Sequence, residues 1–513
     1  MEKTVFAWGL LSVYAAITGY LAYRGYRRTR SMEGFAVGNR DMSPVFVGLS
    51  LAAQLTSVAT FVVNPGLIYA FGLPALLGMG LSASLGITIG IIVLSKGFRS
   101  VGEKMQALTV PGWLGSRFES RGIQIGFALL SLALITFMVL IVVAMAYILM
   151  KMLGIPAWSA LLGVIVLVFA YVLVGGANTS VYTNSVQALI MVAVALLLIA
   201  SGITYFSDGV GAFFKRLGAM DAGLVGLVNP ASPYFRNLFE VFAANFLVGL
   251  AIVCQPHVMA KSLSLKNEKD VNRYLLTAIL VGTVFAMVML VGLYSRFVLP
   301  QTRIDLVVPV YINTQFSPIV SVVISIGVLC AGISTLEGLL LALSAILATD
   351  LFMPMLRRRR AAETTTPEEV RAQGMLALRL ARYSLIGLGV ACFFLGMYQI
   401  RHPTGGSVAI FAQYGIYCLF SASFAPMLFG MFSTKATVTR LMAALSAGTA
   451  LVVYVGMSLF KVTSMHNNPA VLSAFSIIAS LAVMVVGVGY RRITLRSARR
   501  RVEGFGKRES QAA

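Results

Sequence analysis

The feature that most constrains this chain is a succession of apolar runs close to the length a helix needs to cross a bilayer. They fall at roughly 5–23, 43–71, 74–95, 123–150, 156–175, 183–206, 237–256, 274–299, 317–350, 379–400, 405–432, 436–460 and 471–490. Backbone facing lipid satisfies its own N–H and C=O groups only in helices or closed barrels, and runs this long predict helices. The expected fold is therefore all-α, a polytopic membrane protein with about 13 transmembrane helices. At 58% hydrophobic and 11% charged residues, the composition lies far outside the range of soluble globular domains.

The net charge of +22 raises the question of nucleic acid, but the basic residues sit in short clusters between apolar runs. No basic face on a soluble domain is present, and no nucleic-acid partner is expected. The clusters alternate in side. If the N-terminus is outside, the inner loops hold 31 Lys and Arg and the outer positions 9, which predicts a cytoplasmic C-terminus in the inner (plasma) membrane. Arg357 to Arg360, the Lys261 to Arg273 loop and Arg491 to Arg501 then read as solvated, membrane-proximal anchors. The first run, Val5 to Tyr23, reads as a retained helix and not a secretory signal, because its positive cluster (Arg24, Arg27, Arg28, Arg30) follows it. The stretch Glu363 to Gln373 reads as a polar linker, the tail beyond Val502 as disordered, and Thr302 to Phe316 as a short external lid.

Little in the chain suits catalysis. The histidines His257, His402 and His466 are dispersed, acidic residues are scarce, and Cys254, Cys330, Cys392 and Cys418 all lie inside apolar runs. A channel would show a repeated filter or rings of charge, and neither occurs. The polar residues inside the spans carry more information. The second run places Gln54, Thr56, Ser57, Thr60 and Asn64 ahead of Pro65-Gly66, and the ninth contains Ala331-Gly-Ile-Ser334-Thr335. Such groups are costly against lipid, so they line a cavity, bind an ion, or bond across a helix interface; Ser334 and Thr335 can also bond back to the preceding turn of their own helix. Glu337 is an intramembrane carboxylate with three readings: a proton site, a cation site shared with Asn184, or a hydrogen-bonded group in a packed interface.

Gly38-Asn-Arg40, Pro65-Gly66, Thr109 to Phe118, Gly175-Gly176 with Thr183-Asn-Ser-Val-Gln187, Gln255-Pro-His257, and Ala331 to Thr335 form an ordered set of motifs. Through that set the chain resembles the sodium:solute symporter family. The resemblance implies a LeuT-like core of two inverted repeats of five helices, 43–206 and 237–432. Around it lie an extra N-terminal helix within 1–42, an external loop at 207–236, two extra helices within 433–490 and a basic tail at 491–513. It further implies a co-transported sodium ion held by the carbonyls of Ala53, Thr56 and Ala331 and the hydroxyls of Ser334 and Thr335. The solute site it implies draws on Gln54, Ser57, Thr60, Asn245 and Gln413, with Gly249 permitting a break in the second repeat.

Two departures from the family pattern refine this. Leu55 stands where proline carriers have an aspartate, and Tyr182-Thr183-Asn184 with Glu337 and Gly338 stands where members coupling a second sodium have an aspartate and hydroxyls. The expectation is a symporter importing a small organic carboxylate, monocarboxylate or pantothenate-like, with one sodium ion, a single copy sufficing for transport. An amino acid or sugar is the alternative solute, and a membrane-embedded sensor or enzyme the alternative class.

Overall fold

The computed structural model describes residues 2–27, 31–36, 42–357 and 367–512. Arg28, Arg30, the Gly38-Asn-Arg40 motif, Arg358 to Arg360 and positions 363–366 of the polar linker lie outside the described residues. In chain order the apolar helices are α1 (Lys3–Gly25), the bent pair α2 (Pro44–Leu55 with Ala59–Phe71), α3 (Leu73–Gly102), α4 (Arg121–Leu153), the shorter α5 (Ala157–Leu173), α6 (Thr179–Phe206), the bent pair α7 (Phe239–Ile252 with Pro256–Ser264), α8 (Val271–Val298), α9 (Pro318–Leu356), α10 (Ala372–Arg401), α11 (Val408–Phe432), α12 (Arg440–Leu459) and α13 (Pro469–Ser497). Ten are long and apolar enough to span a membrane singly, and the two bent pairs pass the same test as pairs.

The packing repeats itself across the chain. α2 lies against α8 as α7 lies against α3, and α4 lies against α11 as α9 lies against α6. With the helices divided into two five-helix sets, α2–α6 and α7–α11, the first helix of each set lies against the second of the other, and the third of each against the fifth of the other. The first helix of each set is the broken one, bent by 50° in α2 and 49° in α7. Small residues bring these helices into close approach. A Cβ on Gly48 would come within 2.7 Å of the Tyr274 carbonyl of α8, and one on Gly249 within 2.1 Å of the Ala83 carbonyl of α3. Between apolar helices in lipid, such backbone approach supplies association that hydrophobic burial does not.

Gly249 is therefore a packing residue, and the α7 break lies elsewhere. The helix ends at Ile252 and resumes at Pro256, whose missing N–H and ring suit the first turn of the second half. In α2 the break follows Leu55, where Thr56 takes φ −98° and ψ 77°, and Pro65-Gly66 sits inside the second half, with Gly66 admitting the Ile304 carbonyl. Gly176 turns the chain sharply between α5 and α6 with φ 65°, a region glycine enters without a Cβ penalty. α9 is the most enclosed helix, 83% of its apolar window being buried against 17% in α1 and 22% in α12, so the peripheral helices lie outside the core.

Two segments differ from expectation. The chain is helical from Pro367 onward into α10, and α13 continues through the basic tail to Ala512 instead of fraying after Val502. Adding turns to an existing helix avoids the cost of nucleation, and Arg, Glu and Lys are good helix formers. The Thr302 to Phe316 segment contains a helix, Val307–Gln315, whose Val307, Val308, Tyr311 and Ile312 are buried.

Candidate functional site

The site is built where α2 stops. A helix that ends at Leu55 leaves carbonyl oxygens of its last turn without amide partners. α9 passes beside this end, and its two hydroxyls reach the exposed carbonyls. Ser334 Oγ donates to Ala53 O and Ala331 O, both at 3.0 Å. Thr335 Oγ1 lies 3.0 Å from Gln54 O, 3.3 Å from Ala331 O and 3.5 Å from Ala53 O. Both hydroxyls do bond back within α9, as simple packing would have it, but both also cross to α2. Ala53, Ala331, Ser334 and Thr335 are fully buried.

These separations of 3.0–3.5 Å match neighbouring oxygens around a hard cation held at about 2.3–2.6 Å. With their hydrogens rotated away, the hydroxyls present lone pairs beside the two carbonyls, an all-oxygen set suited to an alkali ion. Thr56, the remaining member of the expected set, sits at the turn three residues beyond Ala53 and lines the adjoining cavity.

That cavity has a volume of about 560 Å³, within the range of small-molecule sites. Gln54, Ser57, Thr60, Asn245 and Gln413, the five expected solute residues, all line it. Their availability differs. Ser57 Oγ accepts from the Ala59 amide, and Asn245 Nδ2 donates to Glu240 O at 2.7 Å. Gln54 is buried with neither amide atom hydrogen-bonded, the strongest sign of a group awaiting a ligand. Gln255 joins it: it lies at the α7 break, lines the same cavity and has an unpartnered Oε1. Sequence reasoning noted Gln255 as a motif residue only, and its position between a non-helical turn and Pro256 was the available signal. Among the described residues, no Lys, Arg, His, Asp or Glu lines the cavity.

Among the described residues no hydrogen bond joins Glu337 directly to Asn184. Glu337 accepts from Tyr171 Oη of α5 at 3.2 Å and Thr183 Oγ1 of α6 at 3.1 Å, while Asn184 Nδ2 donates to Ser50 and Ser180. His257 is buried one turn before Lys261 with no partner at Nδ1. The Thr109 to Phe118 motif ties helix ends together: Thr109 caps the helix Val110–Arg117, its hydroxyl donates to Asp350 of α9 at 2.6 Å, and Arg117 Nε donates to Gly430 O of α11 at 2.6 Å.

Known proteins resemble this chain in sequence and fold. The family model described as the sodium:solute symporter family matches residues 35–448. The chain is 28% identical over 353 residues to the sodium/pantothenate symporter of Haemophilus influenzae, covering 66% of this chain and 69% of that one. It is 26% identical over 452 residues to the high-affinity proline transporter PutP of Bacillus subtilis, covering 84% and 88%. Its fold is that of a Na+-coupled sialic acid symporter solved in a substrate-bound outward-open state, with a TM-score of 0.71 at 15% identity over 94% of this chain and 98% of the other. With the family model spanning the broken helices, the hydroxyl pair and the cavity between them, this multi-pass membrane transporter with sodium as its co-transported ion belongs to the sodium:solute symporter family.

Proposed function

We propose that the protein imports a small organic carboxylate together with one sodium ion, by alternating access of the two repeats, 43–206 and 237–432. The observation that carries this reading is the convergence of Ser334 and Thr335 on the Ala53 and Gln54 carbonyls, one residue from the unpartnered Gln54 amide. Sodium bound by Ala53, Thr56, Ala331, Ser334 and Thr335 pins the end of the inner half of α2 to α9, and so favours the state in which the Gln54 side chain is presented to solute. A ligand shifts a conformational equilibrium only through differential affinity, so solute raises sodium affinity by the factor that sodium raises solute affinity.

A cavity without a cationic side chain holds a carboxylate through neutral donors, and the Gln54 and Gln255 amides with the Thr60 hydroxyl supply them. The two solutes named for the curated relatives, pantothenate and proline, each bear a carboxylate. Leu55, where proline carriers place an aspartate, favours a solute without a free ammonium. We place the N-terminus outside and the C-terminus in the cytoplasm of the inner membrane, with one copy sufficient for transport and no nucleic acid involved.

Uptake into proteoliposomes tests the reading. A panel of monocarboxylates, pantothenate, amino acids and sugars is offered with an inward sodium gradient and with potassium in its place. A carboxylate should accumulate only with sodium, and Ser334→Ala with Thr335→Ala should abolish accumulation. Uptake indifferent to sodium, or intact in the double variant, overturns it.

A further inference from the structure

We propose that Lys261 is a tethered counter-cation for Glu337, so that the chain carries within itself the positive charge that a second bound cation would otherwise supply. The inference rests on the one-sodium reading above and explains it.

Glu337 lies two residues beyond Thr335 in the most enclosed helix and is 1% exposed. The hydroxyls of Tyr171 and Thr183 donate to it, and both are neutral. Hydrogen bonds from neutral groups do not cancel a buried negative charge, and a carboxylate in a lipid-embedded core calls for a cation nearby. Tyr14 of α1 also faces this region, but as a phenol bonded to Gln187. Lys261 is a cation that meets this hydrogen-bonded network, through Ser180 one turn before Thr183 on α6.

Lys261 has the complementary deficit. It sits on the inner half of α7, beyond the Gln255 break, and is 7% exposed. Its ammonium donates to Ser180 Oγ at 3.4 Å and reaches no carboxylate within 4.0 Å among the described residues. Ser180 lies one turn before Thr183 on α6, so one helix face presents Ser180 to the ammonium and Thr183 to the carboxylate.

Beside the ammonium lies a cavity of about 30 Å³ bounded by Lys261, Ser180, His257, Gly338 and Gln54, room for one or two waters. Gly338, next to Glu337, has no side chain to fill it, and a Cβ there would come within 2.6 Å of Gln54 Nε2. Gln54 lines both this small cavity and the solute cavity, so the pocket beside Lys261 adjoins the break of α2. Because Lys261 rides on the inner half-helix and Glu337 on α9, any swing of that half-helix changes their separation.

Equilibrium binding of radiolabelled sodium to the purified full chain, at alkaline pH in a potassium background, tests this. Wild type should bind about one sodium per chain and Lys261→Arg the same, because the tethered charge is kept. Lys261→Met leaves the carboxylate bare and should bind about two; Lys261→Met with Glu337→Gln should return to about one. Lys261→Met saturating at one with unchanged affinity, or the double variant binding two, overturns the proposal. If Lys261→Met folds poorly, the double variant should regain the wild-type melting temperature, and failure to regain it overturns the pairing. A wild type that binds no sodium refutes the one-sodium reading instead, and the melting comparison of single and double variants still decides the pairing.

Discussion

Thr335→Val removes the oxygen that reaches Gln54 O at 3.0 Å and Ala331 O at 3.3 Å while keeping the side-chain volume. Thr335 is fully buried, so water does not replace the lost oxygen. A bond to a charged partner contributes roughly 1.5–3 kcal/mol, and a loss of ~2 kcal/mol weakens sodium binding about 30-fold. Sodium binds the native state, so it raises the melting temperature by mass action. At a sodium concentration about 100 times the wild-type dissociation constant, stabilisation should be ~2.7 kcal/mol in wild type and ~0.9 kcal/mol in the variant. Thr335→Ser keeps the oxygen and should stay within about threefold of wild type, since only a methyl group is lost. The assay is thermal melting of purified protein across a sodium series, with potassium keeping ionic strength constant. A folded Thr335→Val with wild-type sodium dependence, or a Thr335→Ser that behaves like Thr335→Val, refutes the assignment of this hydroxyl to the ion.

Gln54→Ala and Gln255→Ala should each raise the solute KM about 10–100-fold, the effect of losing one or two amide bonds to a carboxylate, while sodium binding without solute is unchanged. Gly249→Ala places a Cβ within 2.1 Å of the Ala83 carbonyl and should cost roughly 1–3 kcal/mol in a denaturation series, whereas Gly163→Ala, with nothing within 4 Å, should not. Asp305, outside the apolar spans, accepts from Ser407 Oγ at 2.5 Å and Val408 N at 3.2 Å. Burial raises its carboxyl above the ordinary 3.8, with the Ser407 and Val408 bonds opposing. The native state then holds that proton more tightly than the unfolded chain, so its contribution is greatest below 3.8 and is lost as pH rises through the raised value. Asp305→Asn should flatten this part of the melting temperature against pH, and an unchanged slope would count against it.

How much of this was legible in the sequence depends on which level of structure each residue answers to. Ser334 and Thr335 could be singled out because a hydroxyl in a lipid-embedded run needs a partner, and their ordered distance from the polar second run named α2 as the place to look. The break in α7 was harder. Gly249 and Pro256 are both helix breakers, and only the Ala83 backbone lying against Gly249 shows that the glycine serves close packing while the proline ends the helix. Gln255 was visible as a residue but not as a ligand, since the direction of an amide at a turn follows from the turn and not from periodicity.

Lys261 was read as a solvated anchor, and here the local reasoning pointed away from the structure. A lysine near the inner end of an apolar run ordinarily extends toward water, and its neighbours in sequence, Lys266, Lys269 and Arg273, suggest a cytoplasmic loop. Its burial follows from the 49° bend at Gln255, which redirects six residues of helix toward α6 and α9. A bend converts one span into two short helices whose neighbours are set by an angle, and no hydrophobic period encodes an angle. The same holds for Gln54 in α2. In both broken helices the residues with unmet polar groups lie within six positions of the break, so in a chain of this kind polar residues flanking a broken span are the ones to examine first, ahead of those at the centre of the longest run.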